Sequence, residues 1–137
     1  MVDFKEDGLL KKILVTGCLA QRYAEELLNE IPEVDGVIGI GANEDIVEAC
    51  NALFESDEPY CSFPDKEKLP LDGGRILTTP EYTAYLKIAE GCDNRCAYCI
   101  IPYLRGKFRS RQMDDVLYEA RLLAASGVKE LMVVAQD

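Results

Sequence analysis

The chain has 137 residues, of which 48% are hydrophobic, and it carries a net charge of −10. This length suits one domain or two partial ones, and the apolar content argues against a disordered chain. No apolar run approaches the roughly 20 residues of a membrane span, and no secretory signal is visible. The composition therefore predicts a cytoplasmic protein whose six cysteines are metal ligands or core residues rather than disulfides.

The negative charge is concentrated in the first part of the chain. Residues 1–80 contain 17 acids and 7 bases, whereas residues 81–137 contain 8 of each. A strongly acidic surface repels a phosphate backbone, so the charge argues against nucleic acid as the partner of this piece. It is compatible with a basic protein partner, and equally with an acidic surface that only aids solubility.

The first half of the chain alternates apolar runs with amphipathic helices. Residues 12–16 and 36–40 are short β-branched runs that predict buried strands. The helix that follows the first run has an apolar face of Ala20, Ala24, Leu27, Leu28 and Ile31. The second helix, with Asn43 as its predicted cap, has an apolar face of Ile46, Val47, Cys50, Leu53 and Phe54. This order predicts an α/β fold with a parallel sheet.

The second half begins after a stretch without periodicity. Residues 56–80 carry proline and glycine among charges and predict a linker. Residues 83–90 alternate and predict a strand. A helix is predicted to start at Asp114 or Asp115 and to end at Ser126-Gly127, and a buried strand is predicted over 129–135. Strand, helix and strand again predict a parallel α/β unit.

Three cysteines follow the strand predicted over 83–90. Cys92, Cys96 and Cys99 have the spacing C-x3-C-x2-C, and the chain contains no histidine. Cysteine thiolates hold iron–sulfur clusters, and three thiolates on a four-iron cluster would leave one iron open to a ligand. The alternatives are a zinc site that borrows a fourth cysteine, or three reduced thiols without metal. In a β/α barrel, functional sites lie at the carboxyl ends of strands, where this loop falls.

The residues around the cysteines resemble those of the radical S-adenosylmethionine (radical SAM) methylthiotransferases. The stretches that carry the resemblance are YLKIAEGC at 85–92, CIIP at 99–102, RGKFRSR at 105–111 and VTGCLAQR at 15–22. Within the family, the chain is most like the ribosomal-protein aspartate methylthiotransferases (RimO type) at RY (22–23), IPEVD (31–35) and VVAQD (133–137). The resemblance covers almost the whole chain.

The resemblance implies a domain organisation. Residues 1–55 would be the C-terminal part of a Rossmann-like methylthiotransferase N-terminal domain, and residues 56–81 a linker. Residues 82–137 would be the first β/α units of a radical SAM barrel, a partial TIM-type barrel. The family's first two N-terminal cysteines, the rest of the barrel and the TRAM domain are not in this chain. The resemblance therefore predicts an internal fragment that is inactive alone.

The resemblance also implies the chemistry. Cys92, Cys96 and Cys99 would ligate a [4Fe-4S] cluster whose open iron binds the amino and carboxylate groups of SAM. Reductive cleavage of SAM gives a radical that abstracts hydrogen from an unactivated carbon, which no side chain can do by acid–base chemistry. In RimO-type enzymes that carbon is the β-carbon of an aspartate in a small-subunit ribosomal protein. A second [4Fe-4S] cluster and an electron donor such as flavodoxin or ferredoxin are further expected partners.

Four more residues receive roles from the resemblance. Tyr98 would contact the adenine of SAM, and Gln136 and Asp137 would contact its methionine moiety. The alternative for the last two is ordinary capping of a strand end. Cys18 would be the third ligand of the second cluster, and its alternative is a small buried residue at a strand end. Cys50 is predicted to be a core residue.

A local basic run follows the cysteines and has two interpretations. It consists of Arg105, Lys107, Arg109 and Arg111. These side chains could hold an anionic substrate group, or they could neutralise the thiolates and pair with nearby acids, which is the favoured interpretation. For the whole chain, two alternative functions are a tRNA adenosine methylthiotransferase (MiaB type) and a structural metal-binding module without catalysis.

Overall fold

The chain forms two compact units in a computed structural model that describes residues 1–68, 70, 71 and 73–136. One unit is Met1–Leu69 and the other is Pro70–Asp137. Both mix helices with parallel strands, as the alternation of apolar runs and amphipathic helices predicts. Among the described residues, no helix has both the length and the apolar character needed to cross a bilayer.

The first unit is built on a three-stranded parallel sheet. Its strands are β1 (Leu14–Thr16), β2 (Gly36–Ile38) and β3 (Tyr60–Ser62), with β2 in the middle. Its α-helices are α1 (Val2–Glu6), α2 (Cys18–Glu30) and α3 (Ile46–Glu55), and the segments Ile40–Asp45 and Lys66–Lys68 are 3-10 helices. The middle strand is buried along its whole length, so it forms the centre of this unit.

The predicted apolar face of α2 is confirmed. Ala20 is fully buried against Val34 and Val37, because a side chain this small lets the helix lie close to the sheet. The rest of this face packs around the same cluster and consists of Ala24, Leu27, Leu28 and Ile31. The spacing in the sequence was therefore enough to orient α2 on the sheet.

The predicted start of α3 is wrong by two residues. The chain first forms the 3-10 helix Ile40–Asp45, so α3 begins at Ile46 and Asn43 does not cap it. Instead, the Asn43 Oδ1 atom accepts a hydrogen bond from the Thr16 hydroxyl at 3.2 Å. Asn43 thus links the end of β1 to the segment that precedes α3.

The predicted apolar face of α3 is also largely wrong. Ala49 and Leu53 are buried, and Ala49 packs with Ile38 and Ala42. The side chains of Val47, Cys50 and Phe54 are exposed. Cys50 is therefore not a core residue in this structure. The small Ala49 side chain allows the close approach to β2, which turns the larger apolar residues outward.

The stretch predicted as a linker contributes to both units. Tyr60, Cys61 and Ser62 pair in parallel with Gly36, Val37 and Ile38 and so complete the first sheet. Tyr60 also packs against the cluster formed by Ile38, Ala42 and Ala49. A strand of three residues is too short to show alternation, which is why the sequence pattern did not indicate it.

Asp35, just before β2, joins three parts of the first unit. Its Oδ2 atom accepts hydrogen bonds from Lys5 Nζ at 2.6 Å and from the Ile13 N–H at 2.7 Å. Lys12 Nζ lies 3.4 Å from its Oδ1 atom. Burial raises the pKa of Asp35, but the hydrogen bonds from Lys5 and Ile13 and the charges of Lys5 and Lys12 lower this pKa to a net value below the ordinary 3.8. The ionised carboxylate therefore stabilises the fold.

Asp35→Asn is expected to make the first unit less sensitive to acid. Because the folded pKa is depressed, the stabilisation is complete above the unfolded pKa of 3.8 and is lost as the pH falls through the folded value. In urea unfolding we expect a cost of about 1 kcal/mol at neutral pH and a smaller cost well below pH 3.8. Asp57→Asn removes an exposed partner of Lys12 and is the control. An equal cost for Asp35→Asn at both pH values would contradict the prediction.

The second unit contains two small sheets. Strands β4 (Thr83–Lys87) and β7 (Glu130–Val134) are parallel, with Tyr85 opposite Met132. Strands β5 (Ala89–Glu90) and β6 (Arg109–Ser110) are antiparallel. The helices are α4 (Ile101–Arg105) and α5 (Met113–Ala125). The predicted long helix and final strand are confirmed to within two residues, and the predicted strand over 83–90 is divided between β4 and β5.

The two faces of the β4–β7 sheet have different environments. Ala84 and Leu86 point toward α5 and form a buried core with Leu123 and Val128. Tyr85, Lys87 and Val134 line the opposite face, which is open. This alternation follows from the period of two in a strand and separates the structural face of the sheet from the face that can hold a ligand.

The backbone groups of β4 also divide between its two edges. The Tyr82 carbonyl accepts from the Glu130 N–H at 2.9 Å, and the Ile88 N–H donates to the Val134 carbonyl at 3.0 Å. The backbone N–H and C=O groups of the even-numbered residues therefore point toward β7. By alternation, the polar groups of Thr83, Tyr85 and Lys87 point to the edge away from β7.

Side chains cover this second edge of β4. The carbonyl oxygens of Thr83, Tyr85 and Lys87 accept hydrogen bonds from the side chains of Thr79, Arg75 and Arg111, in that order. Both arginines also form ion pairs with Glu119 on α5. One carboxylate on a packed helix therefore orients the two guanidinium groups that cover the strand edge.

Candidate functional site

The three cysteines of the motif lie on one loop at the end of a strand. This cysteine loop, residues 91–99, connects β5 to α4 and has no regular secondary structure beyond a turn at residues 97–98. Ala89 pairs with Ser110, and Glu90 pairs with Arg109, in an antiparallel arrangement. This pairing brings together the two ends of the segment that contains the cysteine loop and α4. The pairing of β5 with β6 thus gives the loop a fixed base.

Backbone hydrogen bonds attach the start of the loop to the segment after α4. The Cys92 N–H donates to the Gly106 carbonyl at 3.2 Å, and the Asp93 Oδ1 atom accepts from the Phe108 N–H at 3.1 Å. The Arg111 N–H donates to the Ile88 carbonyl at 2.9 Å. These hydrogen bonds fix the backbone at Cys92 and Asp93 against the segment after α4.

Gly91 allows this close approach of two backbone segments. Its φ of +77° lies in the left-handed region that favours glycine. A Cβ atom at this position would stand 2.1 Å from the Lys107 carbonyl oxygen and 2.7 Å from that of Gly106. No side chain fits into this space, so Gly91 is required both for its backbone conformation and for its lack of a side chain.

Glu90 is a fully buried carboxylate next to the loop. It is 1% exposed, and its oxygens contact Lys87 Nζ and Arg105 Nη1, the latter at 3.2 Å. The Gly91 N–H also donates to its Oε1 atom at 3.3 Å. Burial raises the pKa of Glu90, but the Lys87 hydrogen bond, the charges of Arg105 and Lys87 and the Gly91 N–H lower this pKa to a net value below its ordinary 4.5. Glu90 is therefore a paired carboxylate anion at neutral pH.

The cysteines fit an iron–sulfur cluster in their chemistry. All three are free thiols within an eight-residue segment, with Cys92 buried, Cys99 half-buried and Cys96 exposed. Within the described part of the chain, no three Cys, His, Asp or Glu side chains are gathered closely enough to hold a metal ion. The donor set thus suits a [4Fe-4S] cluster, and binding would require the loop to turn its thiols toward a common centre.

An open cavity of about 290 Å³ lies beside the loop, at the carboxyl ends of β4 and β7. Tyr85, Lys87 and Val134 line one part of it, and Glu90 and Gln136 line the end near the cysteines. Sites in β/α folds form at this end of parallel strands. The cavity therefore lies where a cofactor bound to the loop could extend along the sheet.

Two of the three residues predicted to contact SAM lie in the described part of the chain, at different places around the cysteine loop. The Gln136 Oε1 atom accepts the Gly91 N–H at 3.0 Å, which ties the end of β7 to the start of the cysteine loop. Tyr98 is almost completely exposed at the tip of the loop. Asp137 lies outside the described residues. The contacts of these three residues with SAM remain predictions.

Part of the basic run forms ion pairs with acids. Arg105 binds Glu90, and Arg111, whose side chain is 6% exposed, binds Glu119. The pairing interpretation of these two arginines is therefore confirmed, whereas Lys107 is exposed. Because Arg105 and Arg111 bind carboxylates of this chain, the basic run has less positive charge available for an anionic substrate than the sequence alone indicates.

Cys18 begins α2 directly after β1, at the carboxyl edge of the first sheet. Gly17, with a φ of +101°, makes the turn between the strand and the helix. No cysteine occurs before Cys18, and Cys50 and Cys61 in the same unit are both exposed. Within the described residues, Cys18 is not gathered with two other side chains that could hold a metal ion, and its role as a ligand of a second cluster stays a prediction.

Sequence reasoning missed Glu90 and Gly91 as functional candidates. The pattern shows Glu90 only as the polar end of a strand, because alternation alone does not reveal that a carboxylate is buried. Its signal was the combination with Lys87 three residues earlier and Arg105 after the cysteines. The signal for Gly91 was its position between a strand and the cysteine motif, where a glycine often marks a close approach of two backbone segments.

Comparison with known proteins agrees with the geometry. The radical SAM superfamily model matches residues 86–137, which include the three cysteines. The ribosomal protein uS12 methylthiotransferase RimO of Clostridioides difficile is 51% identical to this chain over 98% of the chain and 30% of that protein. The proteins of the same name from Desulforamulus reducens and Myxococcus xanthus are 49% and 50% identical over the whole chain. The resemblance to the radical SAM methylthiotransferases is confirmed.

The chain spans about 30% of the length of these methylthiotransferases. The similarity extends through both units, so it includes the first sheet as well as the cysteine loop. The methylthiotransferase resemblance therefore rests on more than the three-cysteine motif, and it implies a [4Fe-4S] cluster and SAM as cofactors.

Proposed function

We propose that the protein to which this chain corresponds is a radical SAM methylthiotransferase that modifies the β-carbon of an aspartate in ribosomal protein uS12. The observation that carries the proposal is an identity of about 50%, over nearly the whole chain, to three proteins named as ribosomal protein uS12 methylthiotransferases. The free thiols of Cys92, Cys96 and Cys99 on one loop support it. We place this protein in the cytoplasm with its ribosomal substrate.

The architecture that we propose has two parts. The first unit is the C-terminal part of a Rossmann-like domain, which its parallel sheet and α2 support. The second unit is the start of a partial TIM-type barrel, with β4, α5 and β7 as its first strand–helix–strand unit. The open sheet face lined by Tyr85 and Val134 would then be the barrel interior.

The roles of this chain's residues follow from their positions. The thiols of Cys92, Cys96 and Cys99 would hold the [4Fe-4S] cluster, which when bound to SAM supplies the one-electron cleavage that permits hydrogen abstraction from an unactivated carbon. Tyr98, Gln136 and Asp137 would bind and orient SAM. The cleavage consumes an electron that no side chain of this chain provides, so a donor of the flavodoxin or ferredoxin class is required. Cys18 would provide one ligand of a second cluster.

The relatives favour the ribosomal substrate over the alternatives. All three of these relatives are named for ribosomal protein uS12, and none for tRNA adenosine. The strongly acidic first half of the chain also suits a basic protein better than a nucleic acid. A purely structural metal module would not account for similarity through both units.

Anaerobic reconstitution of the chain with iron and sulfide is expected to give a four-iron EPR signal that shifts when SAM is added. An open iron that binds the amino and carboxylate groups of SAM would change the spectrum directly. The measurement is EPR of the reduced protein with and without SAM, together with metal and sulfide analysis. Stoichiometric zinc without sulfide, or no cluster in folded protein, would overturn the proposal. 5′-Deoxyadenosine, which lacks the amino and carboxylate groups, is the control for adenosine binding alone.

A further inference from the structure

We propose that Glu90 is a positioning residue that holds the base of the cysteine loop in place for the cluster. This inference rests on the proposed function, because the cluster is what the loop would bind. Glu90 is 1% exposed and lies two residues before Cys92. A carboxylate buried this deeply must be compensated by charged and hydrogen-bonding partners, and the identity of those partners indicates what it does.

The partners of Glu90 lie on both sides of the loop. Lys87 precedes the loop on β4, and Arg105 is the last residue of α4, which follows the loop. Glu90 therefore joins a strand to a helix that lies beyond all three cysteines in the sequence. Arg105 is followed directly by Gly106, whose carbonyl accepts the Cys92 N–H at 3.2 Å. The ion pair thus fixes the residue next to the acceptor for Cys92.

Glu90 also accepts a hydrogen bond from the first amide of the loop. The Gly91 N–H lies within hydrogen-bond distance of Glu90 Oε1, at 3.3 Å, and of Gln136 Oε1, at 3.0 Å. This amide is therefore shared between the end of β5 and the end of β7. Because Gly91 has no side chain to restrict it, these two acceptors supply the constraint that a side chain would otherwise give. Cys92 leaves the sheet in one direction as a consequence.

The test compares Glu90→Gln with Glu119→Gln in the iron-free, reduced chain. Both changes remove the charge from a carboxylate bound by two cations in the second unit, but the partners of Glu119 do not include the cysteine loop. We expect the amides of Gly91 and Cys92 to exchange hydrogen about tenfold faster in Glu90→Gln and at the wild-type rate in Glu119→Gln. NMR-detected exchange measures both amides. Unchanged exchange of these amides in folded Glu90→Gln would overturn the proposal.

A second variant keeps the test decisive if Glu90→Gln does not fold. Arg105→Gln leaves Glu90 with Lys87 and removes the link to α4. We expect the same faster exchange of the Cys92 amide, with a smaller loss of stability because Arg105 is partly exposed. Wild-type exchange of the Cys92 amide in this variant would contradict the role of the ion pair.

Cluster loading separates this inference from the proposed function. After reconstitution with iron and sulfide, Glu90→Gln is expected to lose iron to a chelator about tenfold faster than the wild type, and Glu119→Gln at the wild-type rate. Equal iron loss in both variants would limit Glu90 to a structural role and overturn the proposal. If the wild type takes up no cluster, the proposed function fails, while the exchange rates still decide whether Glu90 holds the loop.

Discussion

Replacing Gly91 by alanine is expected to destabilise the second unit by about 2–5 kcal/mol. A non-glycine residue in the left-handed region costs about 1–2 kcal/mol. The added Cβ atom would also stand 2.1 Å from the Lys107 carbonyl oxygen, and relieving such an overlap costs roughly 1–3 kcal/mol more. The neighbouring backbone cannot move aside without breaking the hydrogen bond from Cys92 to Gly106. Urea unfolding of the iron-free chain measures the loss.

Gly127→Ala is the matched control for this experiment. Gly127 also has a positive φ, at +107°, but no atom lies within 4 Å of the point that an added Cβ atom would occupy. It therefore shows the cost of the backbone conformation without the overlap. A loss in Gly91→Ala no larger than that in Gly127→Ala would mean that the segment after α4 does not pack on Gly91 as the structure shows.

Cys99→Ala is expected to abolish incorporation of the four-iron cluster, whereas Cys50→Ala should leave it intact. A cluster held by three thiolates loses a third of its protein ligands in the first variant, and no histidine in the chain can replace the missing one. Cys50 is an exposed residue of α3 in the other unit and has no place in the motif. Iron and sulfide analysis after anaerobic reconstitution measures the difference.

Two comparisons make this result specific to the loop. Cys92→Ala and Cys96→Ala should behave like Cys99→Ala, since each removes one of the three proposed ligands. Circular dichroism of the unloaded chain should show that all variants keep the wild-type fold. Equal iron loss in Cys99→Ala and Cys50→Ala would show that the assignment of ligand cysteines is wrong.

Long periodic segments and motif spacing could be predicted from the sequence alone. The face of α2 from Ala20 to Ile31 was predicted correctly because a helix of 13 residues shows its apolar period several times. The three cysteines were recognised from their spacing, and their place after a strand follows from the alternation over residues 83–90. These features depend on local sequence, so no long-range information was needed.

The rest depended on contacts between distant residues. The buried face of α3 is set by the packing of Ala49 against Ile38. Hydrophobicity alone would have favoured burial of Val47 and Phe54, which are exposed. The strand at Tyr60 exists because it pairs with Gly36. Glu90 is buried only because Lys87 and Arg105 compensate its charge. Each case is a tertiary interaction that overrides a local preference.

The covered edge of β4 determines where a further strand could join the β4–β7 sheet. The outward carbonyls of β4 are already occupied by side chains, so no further strand can pair there without first displacing Arg75 and Arg111 from Glu119. Any strand added to this sheet must therefore pair with β7, the strand that follows β4 in this sheet and is synthesised after it. β4 would then stay at the edge of the sheet, with the cysteine loop beyond its carboxyl end.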